Sequence, residues 1–284
     1  MTCRACEASA DRFEGQKNGF ALFRCACGSL NARVETTDLP TYTDFYATAA
    51  FEDPPGVFQS QSAVVESVES YRRSGTWLDI GYGEGGLLKA AALRNWKCSG
   101  AEISRAALDF GRAQAWDVGD DTTRWADGFF DVVSAMEIVE HVIAPRELVR
   151  EAARLLRPGG ALVMTTPNAA SITYRVRGLN WSVVAPPEHV TLFSPWALVG
   201  LVRNAGFLNT SLRTTGLNPS EIMKGPRGVS TAASRNAGAQ KWVSATSKGQ
   251  SGRLAKRVAN AVLNLVQCGD SLKLIATKPS GKAA

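Results

Sequence analysis

From residue 76 onward, apolar and polar positions alternate between two patterns. TWLDI (76–80), KCSGAEI (97–103), FFDVVSAM (129–136) and ALVMTTP (161–167) are short, nearly continuous apolar runs edged by turn residues. Such runs predict strands buried on both faces, and a weaker one lies near AWDVGD (115–120). Between them, GEGGLLKAAALRN (83–95), SRAALDFGRAQ (104–114) and the later part of EIVEHVIAPRELVREAARLL (137–156) repeat apolar residues every three or four positions and predict helices. Ser104 stands where an N-cap is expected, and RPGG (157–160) reads as a turn. Strands alternating with helices imply βαβ units and a parallel sheet, an α/β fold.

The flanks read differently. Residues 1–55 form a small N-terminal module with four cysteines, CRAC and CACG, followed by the aromatic-rich TYTDFYATAAF and a Pro-Pro break. Residues 59–73 suit a helix entering the core, assigned to 56–217. Within it, 168–190 reads as loop, SPWALVGLVRNAG as helix and FLNTSLRTTG as strand. Residues 218–252, rich in Ser, Gly, Ala and Lys/Arg, read as a partly flexible insertion. Over 253–284 the chain returns to the core: GRLAKRVANAVLNLVQ places Leu254, Val258, Ala261, Val262 and Leu265 on one helical face, and SLKLIATKP is a last strand.

Charge sharpens this division. The net charge is +6, yet residues 224–284 hold eleven Lys/Arg against the single acid Asp270, so the rest is acidic on balance. The basic segment is expected to be a solvated insertion, or to meet an anionic partner: a phosphorylated acceptor, or a membrane surface through the helix at 252–267. Trp242 is its lone aromatic, which argues against a stacking platform for single-stranded nucleic acid. No apolar stretch reaches membrane-spanning length, and MTCRACEASADRFEG lacks the apolar core of a secretory signal. A cytoplasmic protein is expected, with its six cysteines as thiols or metal ligands.

The chemistry concentrates in LDIGYGEGG (78–86). A strand ending in a glycine turn and feeding a helix is a cofactor site. Gly81, Gly83 and Gly86 spell the dinucleotide spacing G-x-G-x-x-G. Gly81, Gly83 and Gly85 spell G-x-G-x-G, the S-adenosylmethionine (SAM) spacing. Asp79 favours the second, because a carboxylate repels a diphosphate but attracts an ammonium and a sulfonium. Glu102, at the end of the second strand, can accept bonds from ribose hydroxyls of either cofactor.

At this point the chain resembles the class I SAM-dependent methyltransferases over about 76–217. LDIGYGEG, GAEIS, VGDD before FFDVV, MEIVEHV and LLRPGGALVMTTPN follow one another as that family's motifs do, and PPEHVTLFSPWAL with NAGF resembles the stretch beyond. The resemblance implies a Rossmann-like, doubly wound, seven-stranded, mostly parallel sheet. It also implies SAM held by Asp79, Gly81, Gly83, Gly85, Glu102, Ile103, Asp120 (less surely Asp121) and Met136. The acceptor is then expected to be an oxygen of a small molecule, sugar or lipid-linked intermediate. An RNA 2′-O-methyltransferase, an NAD(P)-dependent oxidoreductase and a non-catalytic binding protein are the alternatives.

Removing a proton from the acceptor suits histidine, and the chain has two, His141 and His189. If MEIVEH opens a helix, Glu137, Glu140 and His141 share a face and could hold Mg²⁺ or Mn²⁺. This E-x-x-E-H is similar to the metal motif of ubiquinone-pathway O-methyltransferases and of small-RNA 2′-O-methyltransferases. In the RNA group a further histidine completes the site, a part His189 could take. The alternative is a metal-free pair that lines the acceptor pocket. Cys3, Cys6, Cys25 and Cys27 resemble the zinc knuckles preceding the catalytic domain of some sugar methyltransferases, with C-x-C where C-x2-C is usual. Four thiolates would make a closed structural zinc site; free thiols are the alternative.

Overall fold

The structure is a computed structural model that describes residues 1–43, 46, 51, 57–224 and 250–280. Its frame is one seven-stranded sheet. In chain order the strands are β4 (Thr76–Ile80), β5 (Lys97–Ala101), β6 (Asp117–Gly119), β7 (Phe130–Met136), β8 (Leu156–Pro167), β10 (Leu208–Thr215) and β11 (Ser271–Thr277). In space the order is β10-β11-β8-β7-β4-β5-β6. From β8 to β6 all neighbours are parallel, while β11 runs antiparallel to both β8 and β10. The seven-stranded, mostly parallel sheet expected from the sequence is the sheet found.

Burial on both faces explains the apolar runs. Along β4 and β7, Leu78 and Val133 face one way, onto α4 (Pro145–Leu155) and α6 (Pro195–Asn204) through Val149, Leu155, Leu198 and Val202. Trp77 and Val132 face the other way, onto α2 (Gly86–Ala92), α3 (Arg105–Ala113) and α1 (Val57–Ser67) through Leu88, Ala107 and Val65. Successive residues thus enter opposite cores, which favours apolar side chains at both.

Several expectations change. RPGG is not a simple turn before a strand. Pairing of β7 with β8 steps from Phe130↔Leu156 to Val132↔Ala161, so Arg157–Gly160 is looped out within β8. The stretch 168–190 is not all loop: it holds the short helix α5 (Ile172–Arg177) and runs into β9 (Thr191–Leu192). Residues 225–249 of the basic insertion lie outside the described residues; before them α7 (Pro219–Met223) forms.

The helix near 252–267 exists as α8 (Gln250–Leu265), and its apolar stripe turns outward. Val258, Ala261, Val262 and Leu265 are exposed, and Leu263 is the buried residue. Towards the sheet the helix presents amides: Asn264 and Asn260 accept the Thr214 and Gly216 backbone N–H groups at 2.9 and 3.1 Å. Leu254 lies among the side chains that are not described. No helix among the described residues is long and apolar enough to cross a membrane.

The cysteine module contributes β1 (Arg12–Lys17), β2 (Phe20–Arg24) and β3 (Leu30–Ala32), and β9 joins their sheet in the order β1-β2-β3-β9. Cys3, Ala5, Ala10 and Cys25 are buried in the same apolar cluster as Phe193 and Ala197.

Beneath the sheet's opposite end, Asp131 is fully buried and accepts the Arg73 and Gly75 N–H groups at 2.8 and 2.7 Å and the Arg157 guanidinium. Burial pushes its carboxyl up, but Arg157 and the two amides outweigh that and hold it below the usual range. A depressed acid contributes stability above its unfolded pKa and loses it as pH falls through the folded value. Asp131→Asn is therefore expected to cost about 3 kcal/mol at pH 7, measured by urea unfolding, and to flatten the acid limb of stability against pH.

Candidate functional site

β4 ends at Ile80, and the chain turns over three glycines before α2. Gly81, Gly83 and Gly85 all have positive φ, at 70°, 50° and 72°, a region that strains any side chain with a Cβ. Gly86 is the first residue of α2 and is absent from the positive-φ glycines. Space confirms the need: a Cβ at Gly81 would collide with Ile138, and one at Gly83 would sit 2.5 Å from the Tyr46 hydroxyl oxygen. The turn is thus built on the G-x-G-x-G spacing.

Glu102 ties this turn to the end of β5. Its carboxylate accepts Gly83 N–H at 3.0 Å through one oxygen, and Ile103 and Ser104 N–H at 2.8 and 3.1 Å through the other. Ser104 holds the N-cap position of α3, but its hydroxyl caps nothing and is without a partner among the described residues. The Arg105 N–H goes to the Thr43 carbonyl at 3.0 Å.

Asp79 is buried in β4 and accepts the Ser134 hydroxyl at 2.6 Å. Burial, opposed by that bond and reinforced by the charge of Glu102, pushes its carboxyl up to about 7. Ile103 is exposed, a conspicuous position for isoleucine. Asp120 is exposed just beyond β6, whereas Asp121 folds back onto Thr123. Met136 is half-buried at the end of β7.

Next to the glycine turn, the chain after β7 carries the acids and one histidine. It is no helix there. Glu137 has φ +54°, and His141 N–H closes a short turn onto the Ile138 carbonyl at 3.0 Å. The shared helical face expected for Glu137, Glu140 and His141 does not form. Instead His189, from the segment before β9, joins: Glu140, His141 and His189 each place a ligand atom within 4.8 Å of the others, without Glu137. Glu137 is exposed.

Glu140 is fully buried; one oxygen accepts Thr166 Oγ1 at 2.9 Å and the other has no partner among the described residues. Burial, then the charge of Glu137, pushes its carboxyl well up. The rings of His141 and His189 meet edge to face with centroids 4.6 Å apart. His141 Nδ1 lies 2.9 Å from the Glu188 carbonyl and His189 Nδ1 2.6 Å from the Val183 carbonyl. A carbonyl only accepts, so each Nδ1 carries the proton and each Nε2 keeps its lone pair. Burial lowers the His141 pKa and keeps its ring neutral.

Two residues of the aromatic stretch belong here, although the sequence assigned that stretch no role. The Tyr42 hydroxyl is 3.2 Å from His141 Nδ1, and Tyr46 covers Gly83. Burial, then the charges of Glu188 and Glu140, push Tyr42 up to about 12. A run of aromatics just before a cofactor-binding core was the available signal; its aim was not legible.

In the module, Cys3 and Cys27 sulfurs are 3.7 Å apart and those of Cys6 and Cys25 3.5 Å, with all four side chains in one cluster. Gly28 N–H bonds the Cys25 carbonyl at 2.9 Å, a tight turn that lets both sulfurs of C-x-C reach the cluster. The Cys27 hydrogen bond holds Cys3 low, against burial, and the same bond pushes Cys27 up.

Residues 56–212 match the family described as "Methyltransferase domain". A ubiquinone biosynthesis O-methyltransferase of Thiobacillus denitrificans is 31% identical over 158 residues, 50% of this chain and 68% of that protein. Its counterpart from Chromobacterium violaceum is 28% identical over the same shares. Among solved structures, a Haemonchus contortus phosphoethanolamine N-methyltransferase 2 bound to SAM is similar at TM-score 0.54 and 17% identity, covering 88% of this chain and 63% of that one. A SAM-dependent methyltransferase of Archaeoglobus fulgidus gives 0.52 and 17%, covering 78% and 95%. These two share the fold. With the family match spanning over half the chain, and the glycine turn built on the spacing of SAM enzymes, the chain belongs to the class I SAM-dependent methyltransferases.

Proposed function

We propose that this methyltransferase acts on a hydroxyl oxygen of a small molecule, with sugars and lipid-linked intermediates included in that class. The observation that carries the reading is the contact between the two loops. Ile138, between β7 and His141, packs on Gly81, so the histidine pair adjoins the cofactor turn. The names of the relatives, O-methyltransferases, support oxygen as the acceptor atom.

In this reading Gly81, Gly83 and Gly85 admit the methionine end of SAM, and Asp79 faces its cations. Glu102 accepts the ribose hydroxyls on the lone-pair sites that its three backbone bonds leave open. Ile103, Asp120 and Met136 border the adenine. The acceptor hydroxyl gives its proton to His189 Nε2 as its oxygen attacks the methyl carbon. The C–S bond breaks and its electron pair stays on sulfur, leaving S-adenosylhomocysteine. His141 lines the acceptor side.

A cation-assisted version is favoured by one observation, the buried Glu140 oxygen without a partner beside two imidazoles. Glu140, His141 and His189 would hold the ion, which lowers the pKa of a bound hydroxyl. Two imidazoles and one carboxylate suit Mn²⁺ or Zn²⁺ better than Mg²⁺. The cysteine cluster fits a separate, structural zinc. Peripheral contact with an anionic membrane through 252–267 also gains support, because α8 turns Val258, Val262 and Leu265 outward within a segment of strong positive charge.

Asp79→Asn is expected to weaken SAM binding about 100-fold in calorimetry while stabilising the ligand-free protein above pH 7 by a few kcal/mol, roughly. The sign follows from the raised pKa: the neutral acid is favoured in the fold, so that stability is lost as pH rises through about 7. Unchanged SAM affinity would sink the role given to Asp79.

His189→Ala is expected to lower transfer of labelled methyl from SAM into cell-extract acceptors about 100-fold with SAM affinity retained. A polynucleotide acceptor would overturn the small-molecule reading. Metal analysis of the purified protein is expected to find about one zinc, lost in Cys25→Ser. Loss of activity with EDTA, restored by Mn²⁺, would favour the cation-assisted version; activity untouched by EDTA would leave His189 as a simple base.

For the membrane contact, sedimentation with anionic phosphatidylglycerol vesicles is expected to carry the protein down, and Val262→Ser with Leu265→Ser to release it. Equal sedimentation of the double variant would remove α8 from that contact.

A further inference from the structure

The cysteine module sits at the N-terminus and His189 near the end of the chain's core, yet they are joined by direct bonds. Arg4 lies inside C-x2-C, between Cys3 and Cys6. Its guanidinium donates to the Val190 carbonyl at 3.2 Å, the Ala32 carbonyl at 2.8 Å and the Val34 carbonyl at 3.2 Å. Val190 directly follows His189. Its N–H and that of Thr191 donate to the Glu140 carbonyl at 2.8 and 3.2 Å, so the same peptide segment holds the acid of the cluster. The hairpin between β1 and β2 reaches the other side of His189: Asn18 Nδ2 donates to the Pro186 carbonyl at 2.8 Å. The five residues Pro186–Val190 are therefore gripped at both ends by the module.

Arg4 shares the Val190 carbonyl with the Ala32 N–H, at 2.9 Å, and is itself held in place. Its backbone N–H bonds Asn31 Oδ1 at 3.1 Å, and Asn31 also donates to Cys3 Sγ at 3.7 Å. The Cys3 sulfur in turn lies 3.1 Å from Ser29 Oγ. Sulfur cluster, β3 and guanidinium form one bonded unit. A planar fork spans several carbonyls at fixed angles, which an ammonium cannot do.

We propose that Arg4, with Asn18, is a positioning residue through which the cysteine module sets the place of His189 against His141 and Glu140. The inference rests on the reading of His189 as an acceptor-side group. The module is then part of the transfer machinery, and the integrity of the cysteine cluster is felt at the histidines without any contact between cysteine and acceptor.

The test uses the fact that the chain has two histidines. Imidazole ¹⁵N–¹H spectra of the untagged full chain with S-adenosylhomocysteine read both rings directly. Arg4→Gln and Asn18→Gly are each expected to move the His189 ring resonances. Arg4→Lys should move them less. Affinity for S-adenosylhomocysteine should stay within about twofold, since the cofactor turn is untouched. Glycine is chosen at Asn18 because φ there is +52°, so the hairpin is kept even if Arg4→Gln disturbs the cysteines. Arg12→Ala, on the same small sheet but away from the loop, should leave both rings unchanged. If His189 signals in Arg4→Gln and Asn18→Gly superimpose on those of the unaltered protein, the proposal is overturned. If they move as expected but His189→Ala keeps full methyl transfer, the positioning stands and the role of His189 in transfer falls.

Discussion

The carboxylate of Glu102 is the constraint on which the site depends. Three backbone N–H groups converge on it just beyond the point where the β4–β5 ladder ends, from the glycine turn after β4 and from the exit of β5. Bonds to an ionised acceptor are about twice as strong as neutral ones, and here they replace water on amides that would otherwise be buried unpaired. The left-handed glycines allow the turn, but the acid selects it among the many conformations glycine permits. Everything nearby inherits that geometry. The turn presents Gly81 to Ile138, which fixes the start of the loop bearing Glu140 and His141, and it presents Gly83 to Tyr46.

What was legible in the sequence follows from the range of the forces involved. The strands of the sheet were readable because both faces are buried, so the apolar run is a local record of a two-sided core. The glycine turn and Glu102 were readable because a positive φ and a strand-end acid are properties of single positions. The turn after β7 was not. E-x-x-E-H fits helical spacing, but Glu137 adopts φ +54° and its N–H is taken by the Thr165 carbonyl of β8. A tertiary bond redirected the chain, and no local propensity registers that. The meeting of His141 with His189 is likewise non-local: it depends on β9 leaving the main sheet to pair with β3.

Helix α8 is a different case: its apolar spacing was legible, and the direction of that face was left open. Apolar spacing identifies a face but not what the face meets. Here the strand edge of β10 needed acceptors for the Thr214 and Gly216 N–H groups, and the asparagines on the helix's other side supplied them. Leaving the buried Thr214 amide unpaired would carry a desolvation cost, and Asn264 on this face of the helix removes it. The exposed stripe is then surplus to folding, which gives it meaning as a surface.

Asp79 carries the same logic into function. Asparagine would accept the Ser134 hydroxyl equally well and would be easier to bury, since burial, reinforced by the charge of Glu102, drives the acid's pKa to about 7. An acid retained at such a position is destabilising on its own and becomes favourable only when a cation arrives. The sulfonium and ammonium of SAM bring that charge, and its product S-adenosylhomocysteine has lost the sulfonium. A carboxylate held in a low-dielectric site therefore favours the methyl donor over the spent cofactor by the difference of one charge. In the proposed reading, the fold accepts the cost at Asp79 because the same burial that penalises the lone acid strengthens its attraction for the cation. In that reading the glycines make room for the cofactor, and Asp79 supplies the discrimination that makes room useful.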